Sequence, residues 1–290
     1  MKITTWNVNG LRAREGQVAE WVAREQPDVL CLQELKATLA QVPQSLVRLE
    51  AYHGYWHGNA GGYSGVSLHV RKGFCPTRPR FAHPDFDHEG RIVIASLGAL
   101  DVASIYVPNG GKDRDAKFRF LEAMDRYVKA AQAAGRLLVL CGDLNVALEV
   151  RDVHPTLADE TRLGQTPRER ALLSALIGHG LTDVHRLLVP GDDQLFTWWA
   201  PWRNHRQLNV GWRLDYVLAS AALAQQATQC RVDREFGTSD HGPVTAQFEG
   251  PLFDPAQVQE GPEQPLPTLA EPTRATGPQL DLFGNPVDEP

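Results

Sequence analysis

The stretch Arg136–Asn145 (RLLVLCGDLN) constrains the fold of this chain more than any other. Five apolar residues, Leu137 to Cys141, end abruptly at Gly142, and Asp143 and Asn145 follow with Leu144 between them. A short continuous apolar run closed by a turn residue reads as a strand covered on both faces, which requires layers on either side of its sheet. Side chains alternate along a strand, so Asp143 and Asn145 are expected on one side where it leaves the core. A carboxylate and a carboxamide at a rigid strand end are placed to grip a water, a metal or a phosphate. Gly, Asp and Asn are also ordinary turn formers, so an Asx turn explains the same residues equally well. The rest of the chain has to decide.

Other segments share the pattern. Lys2–Asn7 (KITTWN) reads as a strand ending near a turn at Asn9-Gly10, and Arg14–Glu25 as a helix with Val18, Trp21 and Val22 at helical spacing. Asp28–Leu32 (DVLCL) is a second buried-type strand ending in Gln33-Glu34. Helix, strand and carboxylate recur at Asp113–Ala134, Leu137–Cys141 and Asp143, which points to an internally duplicated α/β layout. Between the halves lie the β-rich runs Gly65–Arg71, Arg91–Leu97 and Leu100–Val107. Strands at this density favour paired sheets over a Rossmann sheet with regular crossovers. Thr166, Pro167 and Glu169 form a helix start with a capping box, and Gly180 is the expected stop. Arg213–Ala219 and Val244–Phe248 are the last expected strands.

The sequence divides at about residue 250. Nine prolines fall in the last forty residues, with seven acidic residues against one Arg, so residues 251–290 read as a disordered acidic tail. The whole chain has 29 basic and 35 acidic residues, which leaves 28 of each in residues 1–250. The net charge of −6 therefore belongs to the tail, and a balanced body does not exclude a polyanionic substrate. No apolar stretch is long enough to span a bilayer, and the first residues enter a strand rather than a signal peptide. Cys31, Cys75, Cys141 and Cys230 lack paired spacing, which suits reduced thiols in a cytosol.

Polar residues accumulate at the strand ends: Asn7, Glu34, Tyr106 with Asn109, Asp143 with Asn145, Asp215, and Asp240-His241. Any one of them is unremarkable, and a lone His is more often structural. Together they place metal-, phosphate- and proton-binding groups at nearly every expected core strand end. Glu34 and Asp240 are hard oxygen donors suited to Mg²⁺ or Mn²⁺. Asp143 flanked by Asn145 suits the orientation or deprotonation of an attacking water. Asp215 suits a partner that holds the tautomer of His241, whose other nitrogen would face developing negative charge. The chemistry described is metal-assisted attack of water on a phosphate ester.

The blocks WNVNGLRA (6–13), LCLQELKA (30–37), YVPNG (106–110), GDLN (142–145), GWRLDYVLAS (211–220) and SDHGPV (239–244) resemble the exonuclease III family of abasic-site endonucleases, within the endonuclease/exonuclease/phosphatase superfamily. The resemblance covers residues 1–250. It implies a four-layer α/β sandwich of two packed mixed β-sheets flanked by helices, with the site at one edge. It places Asn7, Glu34 and Asp240 in the metal region, with Asn9 standing where some relatives carry Asp. It makes Asp143 the water-activating residue supported by Asn145, Asp215–His241 the pair at the scissile phosphate, and Tyr106 and Asn109 phosphate contacts.

The superfamily also contains lipid and small-molecule phosphodiesterases, so the substrate is read from Phe196–Trp202 (FTWWAPW) and GWRLDY. By resemblance, Trp198, Trp212 and Leu214 would line a pocket for an extruded abasic sugar. Trp199 and Trp202 are expected in the core. Arg203, His205, Arg206, Lys112 and Arg114 sit on loops able to meet DNA backbone, although charged loops are usually only solvated. In the tail, Gln279, Leu280, Leu282 and Phe283 of QLDLF resemble the pentapeptide with which bacterial repair proteins dock on the DNA sliding clamp. The alternative is a tail that folds back onto its own domain. The resulting expectation is a monomeric, Mg²⁺-dependent enzyme of the bacterial cytosol or nucleoid. It would cut duplex DNA 5′ to abasic sites and trim blocked 3′ ends. A clamp-bound scaffold without activity is the alternative from another class, and the filled catalytic positions argue against it.

Overall fold

The computed structural model describes residues 1–47, 49–59 and 61–265. In chain order these form β1 (Lys2–Asn7), α1 (Glu15–Glu25), β2 (Val29–Gln33), α2 (Gln44–Val47), β3 (Tyr52–His57) and β4 (Val66–Arg71). There follow β5 (Arg80–Ala82), β6 (Ile92–Leu97), β7 (Leu100–Tyr106), α3 (Arg114–Ala133) and β8 (Leu137–Asp143). The last are α4 (Pro167–Gly178), β9 (Leu181–Asp183), α5 (Val184–Leu188), β10 (Asp215–Ser220), α6 (Ala221–Ala224), β11 (Ala227–Val232) and β12 (Val244–Phe248). No helix among the described residues is long and apolar enough to cross a membrane.

Two six-stranded sheets result, ordered β11-β12-β1-β2-β4-β3 and β5-β6-β7-β8-β10-β9. Each has a central parallel pair, β1–β2 or β7–β8, flanked by antiparallel strands. A helix (α1 or α3) links each parallel pair, as a parallel crossover requires. The two sheets thus repeat one plan, which is the duplication expected from the recurring helix, strand and carboxylate.

Alternation builds the layers. Ile3 and Cys31 of the first sheet, and Val102, Cys141 and Val217 of the second, point inward and form one core between the sheets. The opposite faces are covered separately. Trp6, Leu30 and Leu32 pack against Val18 and Trp21 of α1, whereas Leu138, Leu140 and Leu218 pack against Leu121 of α3 and Leu173 of α4. This is the four-layer α/β sandwich. It also explains why DVLCL and LLVLC are apolar without alternation: both of their faces are buried.

The same alternation carries the inward row of each strand to polar residues at one edge. Beyond Ile3 come Thr5 and Asn7, beyond Cys141 comes Asp143, and ahead of Val217 stands Asp215. Thr5 donates to Gln33 at 3.1 Å and Gln33 donates to Ser104 of the other sheet at 3.0 Å, a polar floor under the site. Register aligns Asn7 with Gln33, and Tyr106 and Asp215 with Asp143.

Two expectations need correction. The strands β3, β5, β9 and β11 are not expected from the sequence; among the described residues each pairs with one neighbour and is partly exposed, so its pattern is weak. The folded body also does not stop at residue 250. Leu252 and Val258 are buried in the inter-sheet core, and the Gln264 side chain pairs with both the N–H (2.8 Å) and the C=O (2.7 Å) of Trp56 on the edge strand β3. The proline count averages a packed strap, 251–265, with the remainder. The residues Gln279, Leu280, Leu282 and Phe283 lie outside the described residues.

Candidate active site

The end of β8 is shaped by backbone as much as by side chains. At Gly142 φ is +144°, and a Cβ there would lie 1.9 Å from the Ile105 carbonyl oxygen of β7. Only glycine lets the strand end approach its neighbour this closely. Asn145 does not continue the strand alternation; it adopts φ +51°, a left-handed conformation that Asn tolerates. Its side chain nevertheless turns back, donating from Nδ2 to Asp143 Oδ2 (3.1 Å) and to the Val107 carbonyl (2.9 Å). The Asx turn is also present, since the Asn145 N–H donates to Asp143 Oδ1 at 2.9 Å. Turn and site are therefore the same structure: the turn fixes one carboxylate oxygen and leaves the other facing the site.

His241 stands opposite. Its Nδ1 is 2.8 Å from Asp215 Oδ2, and its Nε2 is 3.8 Å from Asp143 Oδ2. The loop that carries it is tied down: Ser239 donates to the Asn7 carbonyl at 2.7 Å, and the Trp6 indole donates to the His241 carbonyl at 3.1 Å. Burial pushes the Asp143 carboxyl up to about 7, opposed by His241 and reinforced by the charge on Asp215. Burial also works against a charged His241, but Asp215 and Asp143 outweigh it and carry the imidazole up to about 10. Asp215 Oδ1 is buried without a hydrogen-bond partner among the described residues.

Asn7 joins this trio to the other sheet. Its Nδ2 donates to Asp143 Oδ2 at 2.9 Å and to Glu34 Oε2 at 3.0 Å, so carboxylate oxygens from two strand ends converge on one amide. Asn9 donates to Asp240 Oδ1 at 2.7 Å, and Asp240 Oδ2 accepts from the Trp198 indole at 2.9 Å. Burial raises the Asp240 carboxyl, but His241 and these two hydrogen bonds outweigh it and hold it below the usual range. Lys36 reaches Glu34 Oε1 at 2.9 Å and Asn9 Oδ1 at 2.6 Å, a cation already seated among these oxygens.

Two groupings can be weighed as metal ligands. Asp143, Asp215 and His241 offer ligand atoms within 4.8 Å of one another. Each already has a specific partner, and an imidazole carried up to about 10 holds a proton in preference to a metal. Glu34 offers a hard carboxylate that suits a divalent cation better, and Asp240 is linked to it through Asn9 and Lys36. The Lys36 ammonium beside Glu34 shows that this position already favours positive charge.

Trp198 and Trp212 pair edge to face, with centroids 5.7 Å apart, and a backbone bridge sets Trp198 beside His241. The Trp212 indole nitrogen is buried without a partner among the described residues. Leu214 is buried, its N–H donating to the Thr197 hydroxyl at 2.9 Å and its carbonyl accepting from the Leu144 N–H at 2.8 Å. The fully buried Arg213 anchors this segment by binding both carboxylate oxygens of Asp152 (2.9 and 3.1 Å) and reaching Asp183 at 2.5 Å. Burial, reinforced by the carboxylates of Glu34 and Asp143, pushes the Tyr106 hydroxyl well above its usual range. Asn109 is exposed on its loop, its Oδ1 accepting from the Gly111 N–H.

Three of the expected assignments change or gain detail. Trp199 is in the core as expected, but Trp202 is 59% exposed. Arg206 is not free to meet a phosphate, because its guanidinium is spent on the carbonyls of Arg234, Phe236 and Ser239. Arg203, Lys112 and Arg114 remain exposed. Two residues escape the sequence reading. Arg91 lies over the Tyr106 ring at 5.0 Å, and Lys117 is buried behind Asn145. A lysine on the apolar stripe Lys117, Phe120, Leu121, Met124, Val128 of α3 is the available signal.

The Endonuclease/Exonuclease/phosphatase family model matches residues 4–241, a span that includes every one of these side chains. The chain belongs to that family. It is 36% identical over 84% of its length to the DNA repair nuclease APEX1 of Danio rerio, covering 81% of that protein. It is 31% identical to the Exodeoxyribonuclease of Bacillus subtilis, over 84% of this chain and 98% of that one. It also spans 37% of the longer Recombination repair protein 1 of Drosophila melanogaster, 33% identical over 86% of this chain. Among solved structures, the 3′ phosphatase NExo from Neisseria bound to product DNA hairpin matches with a TM-score of 0.77 and 31% identity, covering 86% of this chain and all of that one. The resemblance to exonuclease III-type abasic-site endonucleases is borne out, and so is the four-layer fold.

Proposed function

We propose that this chain is a divalent-metal-dependent DNA phosphodiesterase of base-excision repair. It cuts on the 5′ side of abasic sites to leave a 3′-hydroxyl, and it removes blocking groups from 3′ ends. The observation that carries the reading is the convergence of Asn7 on Asp143 and Glu34, with His241–Asp215 facing the same carboxylate. The named activities of the relatives on DNA support the substrate class over lipids or small phosphate esters.

In this mechanism Asp143 takes a proton from the attacking water, with Asn145 and Asn7 fixing its orientation; as the water oxygen bonds to phosphorus the P–O3′ bond breaks, and the released 3′ oxygen takes a proton from solvent to become the hydroxyl. A carboxylate pushed up to about 7 is a strong enough base for that role near neutral pH. Asp215 holds the His241 Nδ1–H, so that Nε2–H donates to a phosphoryl oxygen as charge develops there. Tyr106 and Asn109 bind phosphate oxygens, and Trp198, Trp212 and Leu214 enclose the base-less sugar. A cation held by Glu34, with Asn7, Asn9 and Asp240 around it, would neutralise charge on the phosphate oxygens. Mg²⁺ fits this oxygen set, and Mn²⁺ would substitute.

The resemblance of QLDLF to a clamp-docking peptide supports recruitment to DNA through a sliding clamp, and four free, buried cysteines support a reducing cytosol. Calorimetry with purified clamp tests the recruitment; binding unchanged after Leu282→Ala with Phe283→Ala refutes it. The central test is duplex DNA carrying one abasic site, incubated with Mg²⁺ or with EDTA. Incision only with the metal is expected, and no metal-dependent incision refutes the reading.

A further inference from the structure

One ammonium group lies behind the site and touches no proposed substrate position. Lys117 of α3 has a side chain with no solvent exposure, as does its partner Glu169 of α4. The Lys117 Nζ donates to the Asn145 carbonyl at 2.7 Å, to the Asn109 carbonyl at 3.5 Å and to Glu169 Oε1. Glu169 also accepts from the Gly164 N–H (2.8 and 2.9 Å) and from the Thr166 hydroxyl at 2.7 Å. Gly164 in turn packs against the Trp212 ring and the Asn145 carbonyl, where a Cβ would come within 3.0 and 3.1 Å. The capping box of α4 is thus a second use of a carboxylate whose main partner is a buried lysine.

A buried ion pair is poor evidence for stability, because desolvation offsets the attraction; its best-attested use is to fix one arrangement among several. The arrangement here is specific. The loop after β7 carries Asn109 and the loop after β8 carries Asn145. Neither loop is held by strand pairing at these carbonyls, and Asn145 is in a left-handed conformation. We infer that Lys117 is a positioning residue that locks the Asn109 and Asn145 loops into one geometry, with Glu169 as its counter-charge and the link to the Trp212 wall. The inference rests on the hydrolytic reading above, in which Asn145 aims Asp143 and Asn109 binds phosphate.

Lys117→Met keeps the length and apolar stem and removes the charge. On abasic duplex with saturating metal, kcat is expected to fall by about a hundredfold, as for a small misplacement of reacting groups, while KM stays within about threefold. Glu169→Gln should lower kcat by a smaller factor, and the double variant should be no worse than Lys117→Met, because the two residues act as one unit. Mn²⁺ affinity read by paramagnetic resonance should be unchanged, since Glu34 and Asp240 are untouched. Hydrogen exchange of peptides covering Asn109–Gly111 and Asn145–Ala147 should accelerate, with β8 and β10 unaffected. Incision by the parent enzyme separates failure of the hydrolytic reading from failure of this one, and the exchange measurement tests the loops without any activity. Normal kcat in folded Lys117→Met overturns the inference, as does unchanged exchange in both loops. If Lys117→Met does not fold, normal kcat and normal exchange in Glu169→Gln overturn it.

Discussion

The Nδ1 of His241 lies 2.8 Å from Asp215 Oδ2, although the two residues come from different sheets. Asp215 opens β10 in one sheet, and His241 precedes β12 in the other. Their contact crosses the inter-sheet layer where its apolar core gives way to polar side chains. The proposed catalytic pair is thereby tied to the packing of the sandwich. Asp215→Asn should preserve the shape but remove the charge that holds the imidazolium, reducing kcat by about a hundredfold or more with little change in KM. Single-turnover incision of abasic duplex measures this, and a loss under about fivefold would refute the pairing as functional.

The pH profile follows from the same trio. kcat/KM reports the free enzyme, so it should rise as Asp143 loses its proton near 7 and fall as His241 loses its own near 10. A folded imidazole carried above its ordinary 6.5 contributes stability that is full below 6.5 and is lost as pH rises through about 10. His241→Gln should abolish the alkaline limb of the rate profile and flatten the fall in stability between pH 7 and 10. A variant that keeps the parent's alkaline limb would assign that limb to another group.

Much of the site is legible in the sequence because strand periodicity and chemistry coincide. An apolar inward row ending in Asp143, Asn7 or Asp215 stands out in the residue pattern itself. That pattern groups Asn145 with Asp143 correctly but on the wrong ground, since its φ of +51° breaks the alternation and hydrogen bonds turn its side chain back. Arg206 reads as a surface cation because nothing local marks the three carbonyls that consume it; they are 28 to 33 residues away. Lys117 and Glu169 are partly legible, as charges on the apolar stripes of α3 and α4, but the link between them is tertiary. The strap 251–265 is hidden by composition averaged over a longer window.

Trp202 and Trp199 offer a contrast between surface and core on one loop. Trp202 is exposed on the loop whose Arg203 is expected to meet DNA backbone, whereas Trp199 is fully buried, with Arg206 over its ring at 5.2 Å. Trp202→Ala should leave the melting temperature unchanged and weaken binding to abasic duplex by about 1–3 kcal/mol, the range for one aromatic stacked on a base. Trp199→Ala should instead destabilise the fold by about 3–5 kcal/mol. Equal DNA affinity in parent and Trp202→Ala, measured by fluorescence anisotropy at fixed salt, would place this loop away from the nucleic acid.

His69 provides a stability test far from the chemistry. It sits on β4 with its Nε2 3.0 Å from Ser67 Oγ and its ring edge-on to Trp56 at 4.6 Å. Burial lowers it from 6.5 to about 3, so the folded state keeps it neutral. The unfolded chain protonates it below 6.5, and stability is therefore present above 6.5 and lost as pH falls toward 3. Between pH 7 and 5 this one group should remove about 2 kcal/mol, at about 1.4 kcal/mol per pH unit once below 6.5. His69→Gln cannot titrate, and urea unfolding at the two pH values should show a correspondingly smaller loss than in the parent. The same loss in both proteins would mean that His69 is solvated enough to take up its proton within the folded sheet.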